Sequence, residues 1–201
     1  PEGLLTIGNY AFYGTPNWSI VLPSTVTSIG DRVFSSTVTE TFVLPTALET
    51  VNGFSFMEIE NLQSYVISAD APNFMTEDGV LYDKAQTTLV AFPVGKASSE
   101  LILPSTVTEI GRHAFYDNKG VTKVDFSNIE RIGMYAFYMG GLTEAMLEKT
   151  ESLGDYAFGY NADMTVAKLP ASLTSLGTGI FQSCSRLAQV ITEEGETPLT
   201  L

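Results

Sequence analysis

"LPSTVTSIGDRVF" at residues 22–34 and "LPSTVTEIGRHAF" at residues 103–115 are almost the same phrase written twice. Its second half recurs as "LTIGNYAF" at 5–12, "ERIGMYAF" at 130–137, "ESLGDYAF" at 151–158 and "TSLGTGIF" at 174–181, with a weaker copy, "ETVNGFSF", at 49–56. The closing phenylalanines are Phe12, Phe34, Phe56, Phe115, Phe137, Phe158 and Phe181, separated by 22, 22, 59, 22, 21 and 23 residues. Self-similarity at a fixed short period is the signature of stacked coils, each too small to bury its own apolar face.

Every slot of the phrase has a physical task. The aliphatic residue (Ile7, Ile29, Val51, Ile110, Ile132, Leu153, Leu176) and the Phe five positions later are expected to point inward and to stack into two continuous apolar ladders. The glycine after the aliphatic residue indicates either a positive φ or a place too crowded for a side chain. Its one replacement, Asn52, favours positive φ, because Asn tolerates the left-handed region best after Gly. Small residues before the Phe (Ala11, Ala114, Ala136, Ala157) fit close approach of adjacent coils.

Between these phrases lies a second element with period-two alternation: "SIVLP" at 19–23, "TFVLP" at 41–45, "KVDFS" at 123–127 and "AKLP" at 167–170. These are expected to be short parallel strands, ended by Pro23, Pro45, Pro104 or Pro170, since proline cannot donate to a ladder. Residues 68–100 break the period. "VLYD" and "TLVAF" alternate around the polar turn "KAQT", which predicts an inserted β-hairpin beginning at the Asp78-Gly79 turn.

The phrases at 22–34 and 103–115 resemble the consensus of BspA-like leucine-rich repeats. The insert "DGVLYDKAQTTLVAFPVGK" and "FQSCSRL" around Cys184 are similar to features of the same family, and the likeness runs over essentially the whole chain. It implies a leucine-rich-repeat solenoid of the α/β horseshoe class, with short parallel strands, turns and few short helical segments. One domain over 1–201 is expected, with about seven repeats of 21–23 residues and the hairpin at 68–100. It also implies a bacterial surface or secreted protein, extracellular in location, adhering to a protein or glycan on host or neighbouring cells. The family has no shared catalytic residues. Pro1 falls inside a repeat and "TPLTL" at 197–201 resembles the opening of another, so the chain is expected to be a piece of a longer array whose open ends allow self-association.

Composition narrows the partners. The net charge is −13; residues 1–83 hold ten acids and one base (Arg32), residues 84–201 thirteen acids and nine bases. Such a surface repels nucleic acid and anionic membrane, and no apolar run is long enough to insert. A single cysteine, Cys184, rules out an intrachain disulfide or a cysteine zinc site. His113, the only histidine, occupies the slot of Tyr10, Arg32, Tyr135 and Tyr156 and is expected to be an ordinary outward-facing residue. No phosphate loop or metalloprotease motif occurs, so no catalytic residue, cofactor or metal is expected. Glu77, Asp78, Asp83 and Asp70 gather near the hairpin, but with no calcium-loop spacing; turn formation by Asp is the expected role. Asn17-Trp18-Ser19 is a formal glycosylation sequon, with Trp18 in the inward slot of Leu62, Val121 and Leu187.

A partner is expected on the outward positions of the strands. Aligned on the last apolar residue, one column reads Val21, Val43, Val66, Asp125, Met146, Lys168 and Ile191; a second reads Ser19, Thr41, Ser64, Lys123, Glu144, Val166 and Gln189. The hairpin tip at 84–87 is a second candidate, because protruding loops often bind.

Overall fold

Segments of two to four extended residues cannot hold together alone, so each must find its ladder in the next coil. In the computed structural model, which describes residues 3–15 and 21–192, they do so in parallel. The first wall carries the aliphatic slot: Ile7 lies beside Ile29, and Leu89, Ile110, Ile132, Leu153 and Leu176 follow one another in register. The second wall pairs Thr41–Val43 with Ser64–Val66, and Glu144–Met146 with Val166–Leu169 and then Gln189–Thr192. The chain is a solenoid of stacked coils. Helix is confined, among the described residues, to one 3-10 turn, Gly53–Phe56, capped by Asn52 Oδ1 accepting from the Phe54 amide at 2.8 Å. The helical segments of the horseshoe class are thus replaced by turns.

Those turns form the third side of each coil and stack as regularly as the strands. Phe137 N donates to Ala157 O at 2.8 Å, Tyr135 N to Asp155 O and Met139 N to Gly159 O; the same three bonds recur from 10, 12 and 14 to 31, 33 and 35. To aim alternate amides along the solenoid axis, the turns place Tyr10, Arg32, His113, Tyr135 and Tyr156 at positive φ, and again Gly14, Ser36, Asp117, Met139 and Tyr160 four residues later. The slot glycines are not among them, and Asn52 is extended at φ −143°. Positive φ is therefore not the reason for glycine. Crowding is: a Cβ on Gly154 would lie 2.4 Å from Met134 N, and one on Gly177 2.5 Å from Asp155 N. The backbone of the preceding coil fills the space.

Phenylalanine stacks run inside. Phe12, Phe34 and Phe56 stack at 5.9 and 5.7 Å, and Phe115, Phe137, Phe158 and Phe181 at 4.6, 5.5 and 5.7 Å. The ladder expected to be continuous is broken at the insertion. Phe56 turns to Phe42 and Tyr65, and Phe92 takes the next place, 4.7 Å from Phe115. The core divides correspondingly into two clusters, one from Ile7 to Ala91 and one from Val80 to Ile180.

Residues 74–91 run as three antiparallel strands, Phe74–Glu77, Val80–Asp83 and Thr88–Ala91. Asp78 and Gly79, both at positive φ, form the tight two-residue turn between the first two. The third already belongs to the solenoid wall through Leu89 and Ile110, and Ser98 and Leu101 bridge to the following coil. The interruption is thus narrower than 68–100. Asp83 accepts from the Thr87 and Thr88 amides at 2.7 and 2.8 Å and shapes the 84–87 turn.

Buried polar side chains close the coils. Asn161 is fully buried; its Oδ1 accepts from Leu142 N at 3.0 Å, and its Nδ2 donates to Phe137 O and Phe158 O at 2.7 and 2.8 Å. Asn118 does the same for Val121 N and the carbonyls of Pro93, Val94 and Lys96. Asn161→Ala orphans the buried Leu142 amide and is expected to cost ~2 kcal/mol. Urea denaturation measures this; a loss within ~0.5 kcal/mol would mean that water replaces the amide fully.

Candidate functional site

The strand register aligns the two outward columns. Thr41 faces Ser64 and Val43 faces Val66; Glu144, Val166 and Gln189 lie side by side, as do Met146, Lys168 and Ile191. Lys123 Nζ lies 3.1 Å from Glu144 Oε1, a surface pair worth at most ~1 kcal/mol. Asp125 Oδ1 accepts from Ser127 N and shapes its own turn. The apolar members stand out into solvent: Val21 is 87% exposed, Val43 62% and Val66 45%. Ile102, 73% exposed, joins the same column, because Leu101 bridges Val124 just before Asp125. Sequence alignment on the strands passed over Ile102, although "LILP" at 101–104 repeats the "FVLP" of 42–45. Where the antiparallel strands interrupt the wall, a groove of about 540 Å³ opens between them and residues 101–106, lined by Val80, Tyr82 and Ile102 with Glu77, Asp78 and Gln86.

The 84–87 tip is not a free protrusion. Lys84 Nζ donates to Ala69 O at 2.9 Å, Gln86 Nε2 bonds Glu77, and Thr87 O accepts from Thr108 N. The carboxylates nearby are also committed: Asp83 to its turn and Asp78 to Lys96 at 3.2 Å. Among the described residues no three His, Cys, Asp or Glu side chains gather as metal ligands. None of the described helices is long and apolar enough to cross a membrane. Trp18 and the sequon lie outside the described residues.

The turn side carries something the sequence did not announce. The slot expected to face outward holds side chains that lie flat between coils. Phe54 stacks on His113 at 4.2 Å, His113 on Tyr135 at 5.2 Å, and Tyr135 on Tyr156 at 5.1 Å, nearly parallel. Arg32 caps this stack, with Cζ 4.9 Å from the Phe54 ring centre. A second row, Tyr116 on Tyr138 at 5.4 Å, runs beside it. His113 is consequently buried, 3% exposed, rather than a surface residue. Burial first, then the neighbouring Arg112, lowers its pKa to about 4, and Nδ1 accepts from Arg112 Nε at 3.2 Å. A base already occupied by a guanidinium and flanked by rings has no nucleophile to serve. Nor is the thiol one: Cys184 Sγ donates to Phe158 O at 3.2 Å, and burial raises its pKa. The rows touch, Tyr135 meeting Tyr138 at 5.0 Å and His113 meeting Tyr116 at 5.7 Å, and over them lies an open cleft of about 290 Å³ edged by Arg32 and Arg112.

Comparison with known proteins agrees with this geometry. The description of the BspA type leucine rich repeat region matches residues 1–78 and 90–198 in six copies. No curated protein matches. Among solved structures, a leucine-rich repeat protein from Eubacterium ventriosum is similar at 26% identity with a TM-score of 0.83, over 92% of this chain and 50% of that one. A leucine rich cell surface protein from Faecalibacterium prausnitzii follows at 19% identity and 0.68, over 96% and 59%; the pneumococcal vaccine antigen PcpA at 18% and 0.61, over 96% and 56%. The last two likenesses show the fold alone. The chain spans about half the length of these proteins.

Proposed function

This chain belongs to the BspA type leucine rich repeat family, and from that we propose that it is a non-enzymatic binding module of a cell-surface or secreted protein, taking a protein partner on its strand face. The observation that carries the reading is the exposed apolar surface of the strand face, with Val21 and the paired Val43 and Val66 on one side of the interrupting strands and Ile102 on the other. Exposed apolar surface on a monomer marks interaction sites, and solenoids present such surfaces as extended faces. A protein suits these residues better than a glycan, because their aliphatic side chains offer no hydrogen bonds to sugar hydroxyls. The extracellular setting is part of the same proposal and rests on the family. A second reading, a spacer within a larger surface protein, rests on the chain's spanning only half of its neighbours' length.

The test is a screen against host matrix proteins with the wild-type chain and the Val43→Glu/Val66→Glu double variant. Both positions are solvent-exposed, but the two glutamates would face each other across paired strands, so the variant should lose about 1 kcal/mol of stability while keeping its fold, and should lose at least ~tenfold in affinity, as expected when two charges are buried at an interface. Equal affinities would assign the column to scaffold and favour the spacer.

A further inference from the structure

We propose that the cleft on the turn side, between Arg32 and Arg112, is a second site that binds the carboxylate of an acidic sugar. Acids outnumber bases 23 to 10 in this chain, so an arginine should find a carboxylate easily. Two of the four arginines do: Arg131 pairs with Glu109 at 2.9 Å and Arg186 with Asp163 at 3.0 Å. Arg32 and Arg112 make no ion pair among the described residues, and both line the same cleft of about 290 Å³. Three carboxylates whose charges act on His113 or Tyr116 are engaged elsewhere. Asp31 accepts from Asn52 Nδ2 at 3.2 Å, Glu58 accepts from the Ser36 hydroxyl at 3.0 Å, and Asp117 pairs with Lys119.

The two cations are also held in place. Arg32 lies over Phe54, with its Nε buried and lacking a hydrogen-bond partner. Arg112 is fixed through Nε to His113 Nδ1. Guanidinium forks immobilised in this way are prepared for an oxyanion, and less rotamer freedom is lost when one binds. Tyr116 and Tyr138, stacked on each other at 5.4 Å, complete the lining. With Nδ1 accepting, neutral His113 carries its proton on Nε2, a further donor.

Size and overall charge choose among anions. The volume suits one ring, and a net charge of −13 repels densely charged polymers such as nucleic acid. A sparsely charged ligand with hydroxyls for the tyrosine-rich wall remains: a carboxylated monosaccharide at a chain end. This site shares no residue with the strand face.

Calorimetric titration with glucuronic acid, glucose, acetate and an acidic dipeptide tests it. Glucuronic acid should bind, weakly and with salt dependence, and glucose should not; acetate and the dipeptide should bind at least ~tenfold more weakly. Arg112→Gln, a change at an exposed side chain, should reduce affinity at least ~tenfold, and Arg32→Gln likewise. Melting curves on both variants check folding; should Arg32→Gln unfold, Arg112→Gln alone decides. The Val43→Glu/Val66→Glu variant should bind glucuronic acid as wild type does, which separates failure here from failure of the strand-face reading. No binding of glucuronic acid, unchanged binding in Arg112→Gln, or equal binding of acetate or of the dipeptide overturns the proposal.

Discussion

Phe137→Ala is expected to remove about 3–5 kcal/mol of stability, whereas Phe12→Ala, in the same slot of the first described coil, should remove clearly less. Phe137 is buried between Phe115 at 4.6 Å and Phe158 at 5.5 Å, with the edge of Phe126 at 5.6 Å. Truncation therefore leaves a cavity bounded by three rings, whose backbones are pinned by coil-to-coil hydrogen bonds and cannot collapse into it. Phe12 is only half-buried, with Phe34 stacked on it at 5.9 Å. Urea denaturation with fixed m-value gives both numbers. Equal losses would mean that each repeat is stabilised from within, contrary to a stack in which neighbours supply the core.

A comparable effect is expected from pH. The folded-state pKa of His113, about 4, lies below its unfolded value near 6.5, because burial and Arg112 disfavour the imidazolium, with Arg32 adding to this and Asp31 opposing it. A depressed pKa means that the unfolded chain binds the proton more readily. Stability is then fully present above about pH 6.5 and is lost as the pH falls towards about 4, by ~3 kcal/mol for this residue. Since carboxylates titrate in the same window, the informative quantity is a difference: wild type minus His113→Phe, whose ring can keep the stack with Phe54 and Tyr135. The two stability curves should converge or cross on raising the pH from 4 to 7; parallel curves would mean that His113 is exposed and titrates normally.

The solenoid was legible because its determinants are local and repeated. Seven phenylalanines in phase, with an aliphatic residue five positions earlier, leave no other way to bury both. The errors arose where the cause lies in the adjacent coil. Asn52 in a glycine slot suggested a left-handed backbone, yet the slot is extended and glycine is required by the neighbour's main chain, 2.4–2.5 Å from an added Cβ at Gly154 and Gly177. The left-handed residues instead include Tyr135 and His113, large side chains whose strain is offset by stacking and coil-to-coil hydrogen bonds. Phe92 escaped notice because it follows Leu89 by three positions rather than five. The turn-side cleft was invisible for a related reason. Arg32 and Arg112 are 80 residues apart in sequence, and the coil of Phe54 meets that of His113 directly on the turn side.

The strand face as the binding surface is tested most directly by hydrogen–deuterium exchange of the chain with and without a matrix protein that binds it. Slowed exchange at residues 41–43, 64–66 and 101–102, with residues 112–117 and 134–139 unchanged, is the predicted footprint. Protection confined to those turn residues, with the strands exchanging as in the free chain, would contradict it.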